Sequence, residues 1–202
     1  METMREALQQ ALKFSELLNQ FRRVIRVVRV NGEDRWENDV EHSYQLAMLA
    51  WYIADARKLP LDVGLVVKYA LIHDLVEVYA GDTYIYSADK KHLEGKHDRE
   101  EEARKRLRSE IAEFEELHRL IVRYESREDA ESRFVYALDK IQPMLNIYLD
   151  NGDTWKEKEV TLEMLFENKE DKVKISPEVK RYFDEFIQLL RENEERLFAA
   201  KE

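Results

Sequence analysis

The run LDVGLVVKYALIHDLVEVYA, residues 61–80, is apolar on nearly every side of a helix, yet it carries His73, Asp74 and Glu77 within five positions. A buried carboxylate without a partner costs several kcal/mol or shifts its pKa strongly. Ionisable groups this dense on one core helix therefore ask for a cation, and a metal ion is the natural one. Its other ligands should be polar residues standing in apolar rows elsewhere in the chain.

Two positions meet that description. His42 falls in a row with Leu46, Leu49 and Ile53, spaced i, i+4, i+7 and i+11, so it points to the same interior. It also sits in the first turn after a capping pair, Asn38 and Glu41, where a helix N-terminus keeps imidazole neutral and able to bind metal. Asp139 interrupts the apolar stretch Phe134, Val135, Tyr136, Ala137, Leu138 and Ile141, with Gln142 and Asn146 continuing a narrow polar strip. Pro143 four residues on should kink that helix.

Alone, each has a plainer reading: a hydrogen-bonded core histidine, a carboxylate paired with an arginine, a turn aspartate at Asp82 after the helix-ending Gly81. Together, two histidines and two aspartates ordered H…HD…D make a mixed nitrogen and oxygen site suited to one divalent transition metal (Co, Mn, Zn, Ni or Fe). Such a metal lowers the pKa of bound water and polarises a phosphoryl group.

The elements that must hold this set are helical throughout. Periodicity of 3.6 marks helices over Leu8–Phe21, from Asn38 to about Arg57, and over 61–80. Further helices are expected from about Asp98, over Glu110–Tyr124, and from Arg127 or Glu128 to Asn151-Gly152. Two more fall near Lys156–Glu167 and beyond Ser176-Pro177. The connector VRVNGEDRWEND and the segment 82–96 read as loops, and no strand pattern stands out. The expectation is an all-α fold, one domain over 1–202 of about eight helices around a buried metal site, with the motifs in about 21–153 and C-terminal helices in about 156–202.

The chain has 202 residues, a net charge of −10, 38% charged residues and no cysteine. That charge argues against binding a nucleic-acid polymer, which relies on basic surface. The cysteine count removes thiolate ligands and nucleophiles. The absence of an apolar signal core or a span of about 18 apolar residues predicts no membrane association and a cytoplasmic protein. Within this acidic chain Arg22, Arg23, Arg26, Arg29 and Arg35 cluster before the second helix, and guanidinium forks suit phosphate oxygens. Arg26 and Arg35, nearest the metal motifs, are the expected substrate-binding pair.

The set His42, His73, Asp74 and Asp139 resembles the H…HD…D signature of the HD-domain metal-dependent phosphohydrolases. DRWENDVEHSYQLAMLAWYIA, ALIHDLVEVYAGDTYIY and FVYALDKIQPMLNIY are similar to the bacterial and archaeal branch that contains 5'-deoxynucleotidases. The resemblance covers about Phe21 to Asp153. It implies hydrolysis of a nucleoside 5'-monophosphate by a metal-activated water, with Glu77 positioning that water and Asp82 assisting near the sugar and leaving oxygen. It implies that Arg26 contacts the substrate and that the protein is a homodimer, for which Trp51, Tyr148 and Trp155 are candidate exposed aromatics. Val27 stands where that branch has tryptophan, so the resemblance leaves open whether the sugar is ribose or deoxyribose. A phosphodiesterase, a nucleoside triphosphate hydrolase of the same superfamily, and a non-catalytic metal-stabilised nucleotide-binding protein are the alternatives. His92, His97 and His118, in strongly charged segments, are expected to be exposed.

Overall fold

The structure is a computed structural model and describes residues 3–82, 84, 86 and 95–199, with the backbone alone at 96. Its described helices are α1 (Met4–Phe21), α2 (Asp39–Ala56), α3 (Val63–Ile72), α4 (Glu77–Ala80), α5 (Lys96–Glu110), α6 (Glu115–Ser126), α7 (Ala130–Leu149), α8 (Asp153–Glu157), α9 (Leu162–Val173), α10 (Pro177–Glu192) and α11 (Glu194–Leu197). Eight of them have ten residues or more, as the periodicity predicts. Among the described residues the fold is all-α apart from one small hairpin.

Helix α7 is the axis of the molecule. It packs against α2, α3, α6, α8, α9, α10 and the first strand, and it buries Phe134, Val135, Leu138, Ile141 and Met144. Truncating a side chain such as Leu138 to alanine there would cost about 2–5 kcal/mol. Asp129 starts α7 with a capping box to Ser132, and the helix runs through Pro143 to Leu149 without interruption. A second apolar cluster joins Leu17 and Phe21 of α1, Leu75, Val76, Leu107 and Ile111 of α5 and its end, and Leu117 and Ile121 of α6.

Three local outcomes differ from the sequence reading. Residues 25–38 form an antiparallel hairpin, β1 (Ile25–Arg29) and β2 (Trp36–Asn38), with an irregular register. Its Asn31-Gly32 turn places Gly32 at φ +79, which is the hairpin signal the connector reading passed over. The apolar helix of 61–80 is broken: α3 stops at Ile72 and four residues of turn lead into α4. There the backbone tightens to i→i−3 hydrogen bonds, Leu75 to Ile72, Glu77 to Asp74 and Tyr79 to Val76. Leu75 and Val76 in these turns anchor into the second cluster. In α1, finally, the inward side chains are Phe14, Leu17 and Phe21, whereas Leu8, Leu12 and Leu18 face outward.

Candidate metal centre

Three elements bring the four predicted ligands together. The N-terminal turn of α2 is fixed by its cap: the Asn38 side chain accepts from the N–H groups of Val40 and Glu41, while Glu41 accepts from the Asn38 N–H. This presents His42, fully buried, to the interior. The turns after α3 present His73 and Asp74, and α7 presents Asp139. Ligand atoms of His42, His73, Asp74 and Asp139 all lie within 4.8 Å of one another.

The hydrogen bonds behind the histidines decide what their front nitrogens can do. His73 Nδ1 lies 2.9 Å from the Ala70 carbonyl, an acceptor, so that nitrogen carries the hydrogen. His42 Nδ1 lies 2.9 Å from Gln142 Oε1. The orientation of that amide is set further out: Asn146 Nδ2 donates to Glu37 and to Gln45 Oε1, and Gln142 Nε2 donates to the same Gln45 oxygen. With both Nδ1 atoms protonated, both neutral rings aim bare Nε2 lone pairs inward, 3.2 Å apart. His42 Nε2 also stands 3.1 Å from Asp139 Oδ1, and His73 Nε2 2.9 Å from Asp74 Oδ2. Acceptors this close need a proton or a cation between them. The donor set therefore fits a divalent metal, which these four residues would hold.

The same demand shows in the titration of the group. Burial opposes a charge on His73, but Asp74 and Asp139 outweigh it and raise its pKa to about 10. Burial, and then Arg26, push His42 down to about 4. Burial works to raise Asp139, yet Lys140 and the two histidines hold it well below the usual carboxylate range.

Around the ligands lies a cavity of about 800 Å³ whose lining includes Arg26, Glu77, Asp82, Tyr84, Tyr136, Lys140 and Lys169. Arg26 enters it from β1, whose Val27 and Val28 also line the cavity. Its guanidinium bonds Asp74 at 2.7 Å and Asp39 at 3.0 Å, with Glu37 at 3.5 Å. Arg35 is elsewhere: it is exposed, pairs with Glu33 and Glu41, and does not line the cavity. Glu77 is buried with Oε2 unsatisfied, and burial together with Asp74, Asp82 and Asp39 raises its pKa well above the carboxylate range. The three-residue turns explain its place, because i and i+3 side chains eclipse in such turns. Glu77 therefore stacks with Asp74, and both come within 4.8 Å of Asp39. Gly81, at φ +74, redirects the chain so that Asp82 reaches the cavity.

Other expectations fare unevenly. His97 is exposed, as expected, but His118 is buried and donates from Nε2 to the Ile111 carbonyl at 2.8 Å. His92 lies outside the described residues, as does most of the 82–96 segment. Trp51 is half exposed, whereas Tyr148 is partly buried and Trp155 is buried against Phe198. The sequence reading overlooked Glu37, Asp39, Lys140 and Lys169. Lys169 had a signal: it occupies the row Leu162, Leu165, Lys169, Val173, whose other members are apolar and buried.

Comparison with known proteins agrees with this geometry. The family model described as HD domain matches residues 18–180. The human protein named 5'-deoxynucleotidase HDDC2 is 37% identical over 137 residues, 66% of this chain and 65% of its own length. The bovine protein of that name is 36% identical over 66% of this chain and 64% of its own length. The chain thus aligns with just under two thirds of these relatives. A crystal structure from Magnetospirillum magnetotacticum, described as a predicted metal-dependent phosphohydrolase, superposes with a TM-score of 0.79 at 28% identity, covering 96% of this chain and 98% of that one. With 18–180 matched and the H…HD…D residues gathered at one point, the chain belongs to the HD-domain family.

Proposed function

We propose that the protein is a metal-dependent phosphomonoesterase that releases phosphate from nucleoside 5'-monophosphates. The observation that carries this reading is the convergence of two bare imidazole nitrogens and two carboxylates on a cavity that also contains an unsatisfied Glu77. The names of the relatives support it. A divalent metal held by His42, His73, Asp74 and Asp139 would act as a Lewis acid and acidify water. Cobalt, manganese, zinc, nickel and iron all suit this donor set.

In the reaction, water adds to phosphorus, the phosphorus–oxygen ester bond breaks, and nucleoside and inorganic phosphate leave. Glu77 orients the water and takes its proton. Its raised pKa keeps the carboxylate poised to accept one. Asp82, which also lines the cavity, assists at the leaving oxygen. Arg26 holds Asp74 in place and lines the cavity beside it. Arg35 binds no substrate group directly in this scheme and supports the α2 cap through Glu41. Tyr84 and Tyr86, whose rings meet edge to face at 5.6 Å, offer a surface for a base.

Purified protein assayed with each metal against a panel of nucleotides tests the reading. Metal-dependent phosphate release from monophosphates is expected. Release of pyrophosphate or tripolyphosphate from triphosphates instead would replace it, and no release with any metal would end it.

We also propose that the protein works as a cytoplasmic homodimer. Tyr44, Met48, Trp51 and Tyr52 form an exposed apolar stripe on α2, and Met4, Leu8 and Leu12 another on α1. No described helix is long and apolar enough to cross a membrane. A mass of one chain by light scattering would contradict the dimer.

A further inference from the structure

Helix α9 carries a lysine where its other inward residues are apolar. Lys169 is 9% exposed and lines the cavity, in the same row as Leu162, Leu165 and Val173. It has no hydrogen bond or ion pair with any described residue. Its basic neighbours differ in this respect: Lys140 is bonded to the ligand Asp139, and Lys172 donates to Asn168 at 2.8 Å. Burial, and then repulsion from Lys140, press the Lys169 pKa down to about 7. Asp139 attracts it without a direct pair, and a buried ammonium that no carboxylate bonds is costly, so chains keep one only where something compensates it. The cavity is where the compensating anion can enter.

We propose that Lys169 is a phosphate-binding residue: its ammonium, backed by Lys140 and Lys172, receives an oxygen of the substrate phosphoryl group at the part of the cavity lined by α7 and α9. The inference rests on the phosphomonoesterase reading for the identity of the substrate, but not for the anion subsite itself. Asp139 ties the two together, because it is both a metal ligand and the residue before Lys140. A phosphoryl group beside the metal set therefore comes within reach of the lysine-bearing wall. The charge that develops on the phosphoryl oxygens during transfer would find a desolvated cation already in place.

The test uses the metal-loaded full chain, with Lys169→Met compared with wild type and with Lys174→Met. Lys174 is an exposed control that pairs with Asp171. Binding of inorganic phosphate is measured by calorimetry and by phosphate-induced rise in Tm, with metal content measured alongside. Lys169→Met should keep its metal and fold, have an unchanged or higher Tm without phosphate, and bind phosphate roughly ten- to a hundredfold more weakly. Its KM for nucleoside monophosphates should rise by a similar factor, and Lys174→Met should behave as wild type. Equal phosphate affinity in wild type and Lys169→Met, or no phosphate binding by wild type, would overturn the proposal. Lys169-dependent phosphate binding in a protein that hydrolyses no nucleotide would sustain the subsite while refuting the phosphomonoesterase reading.

Discussion

The wall of the cavity built from β1, α2 and the turns after α3 gathers Glu37, Asp39, Asp74 and Glu77 around Arg26, whereas the wall built from α7 and α9 sets Lys140, Lys169 and Lys172 beside Asp139. In the first, burial has raised Glu37 and Asp39 to about 7, and has lifted Glu77 well above the usual carboxylate range. In the second, burial has lowered Lys169 to about 7. One wall holds more carboxylates than its single arginine can balance, and the other holds more lysines than its single aspartate can. The metal ligands straddle the seam, with Asp74 on the acidic side and Asp139 on the basic one. A metal and a phosphorylated substrate would complete both walls at once. The difference teaches that each half of the site is destabilised alone and that the missing charges specify what binds.

The sharpest way to break this contrast is at Glu77. Glu77→Gln should leave metal content and fold intact and lower kcat by roughly 10²–10⁴-fold, the usual worth of a positioned general base. Turnover close to wild type would remove Glu77 from the chemistry. Removing the acidic wall's cation tests the wall itself. Arg26→Met leaves Glu37, Asp39 and Asp74 uncompensated, so urea unfolding should show a loss of about 3–5 kcal/mol. A stability within 1 kcal/mol of wild type would mean that these carboxylates are largely protonated already.

Two smaller effects refine the comparison. Gln142→Leu takes away the acceptor that fixes the His42 tautomer, and metal affinity measured by competition with a chelator should fall roughly 10–100-fold. Unchanged affinity would mean that the amide chain from Glu37 does not set that nitrogen. The basic wall should also show itself in pH. Lys169 has a folded pKa of about 7 against 10.5 in the unfolded chain. Between those values the unfolded chain binds more protons, so this residue makes stability rise with pH, and its full penalty is present below about 7. Lys169→Met should therefore exceed wild type most below about pH 7, with the gap narrowing by about 2 kcal/mol between about pH 7 and pH 9. A gap that does not change with pH would show that Lys169 is not desolvated.

What could be read in advance depended on contrast with surroundings. His42, His73, Asp74 and Asp139 were legible because each is a polar residue in an apolar row, and the H…HD…D order joined them before any geometry was known. Lys169 is the same kind of exception, but α9 is rich in charge (Glu167, Lys169, Glu170, Asp171, Lys172), so one inward lysine is hidden among solvated ones. His118 was misread for the same reason, since its neighbours Leu117 and Ile121 carry the buried face of α6. The end of α3 was illegible because apolar residues continue through Leu75, Val76 and Val78. Only the packing of Leu75 and Val76 into the second cluster selects tight turns over a continued helix. The hairpin is hard to read because Arg26 and Arg29 interrupt the apolar run of β1 and its register is irregular, although β1 is what carries Arg26 to the cavity while Arg35 stays on the surface.

In the proposed reaction a water held at Glu77 and the H…HD…D set attacks phosphorus. Hydrolysis of a nucleoside 5'-monophosphate in ¹⁸O-labelled water, with products resolved by ³¹P NMR and mass spectrometry, tests it most directly. The account predicts one ¹⁸O atom in the inorganic phosphate and none in the nucleoside, dependent on metal and strongly reduced in Glu77→Gln. Label in the nucleoside 5'-hydroxyl, or phosphate released at an equal rate without metal, would contradict it.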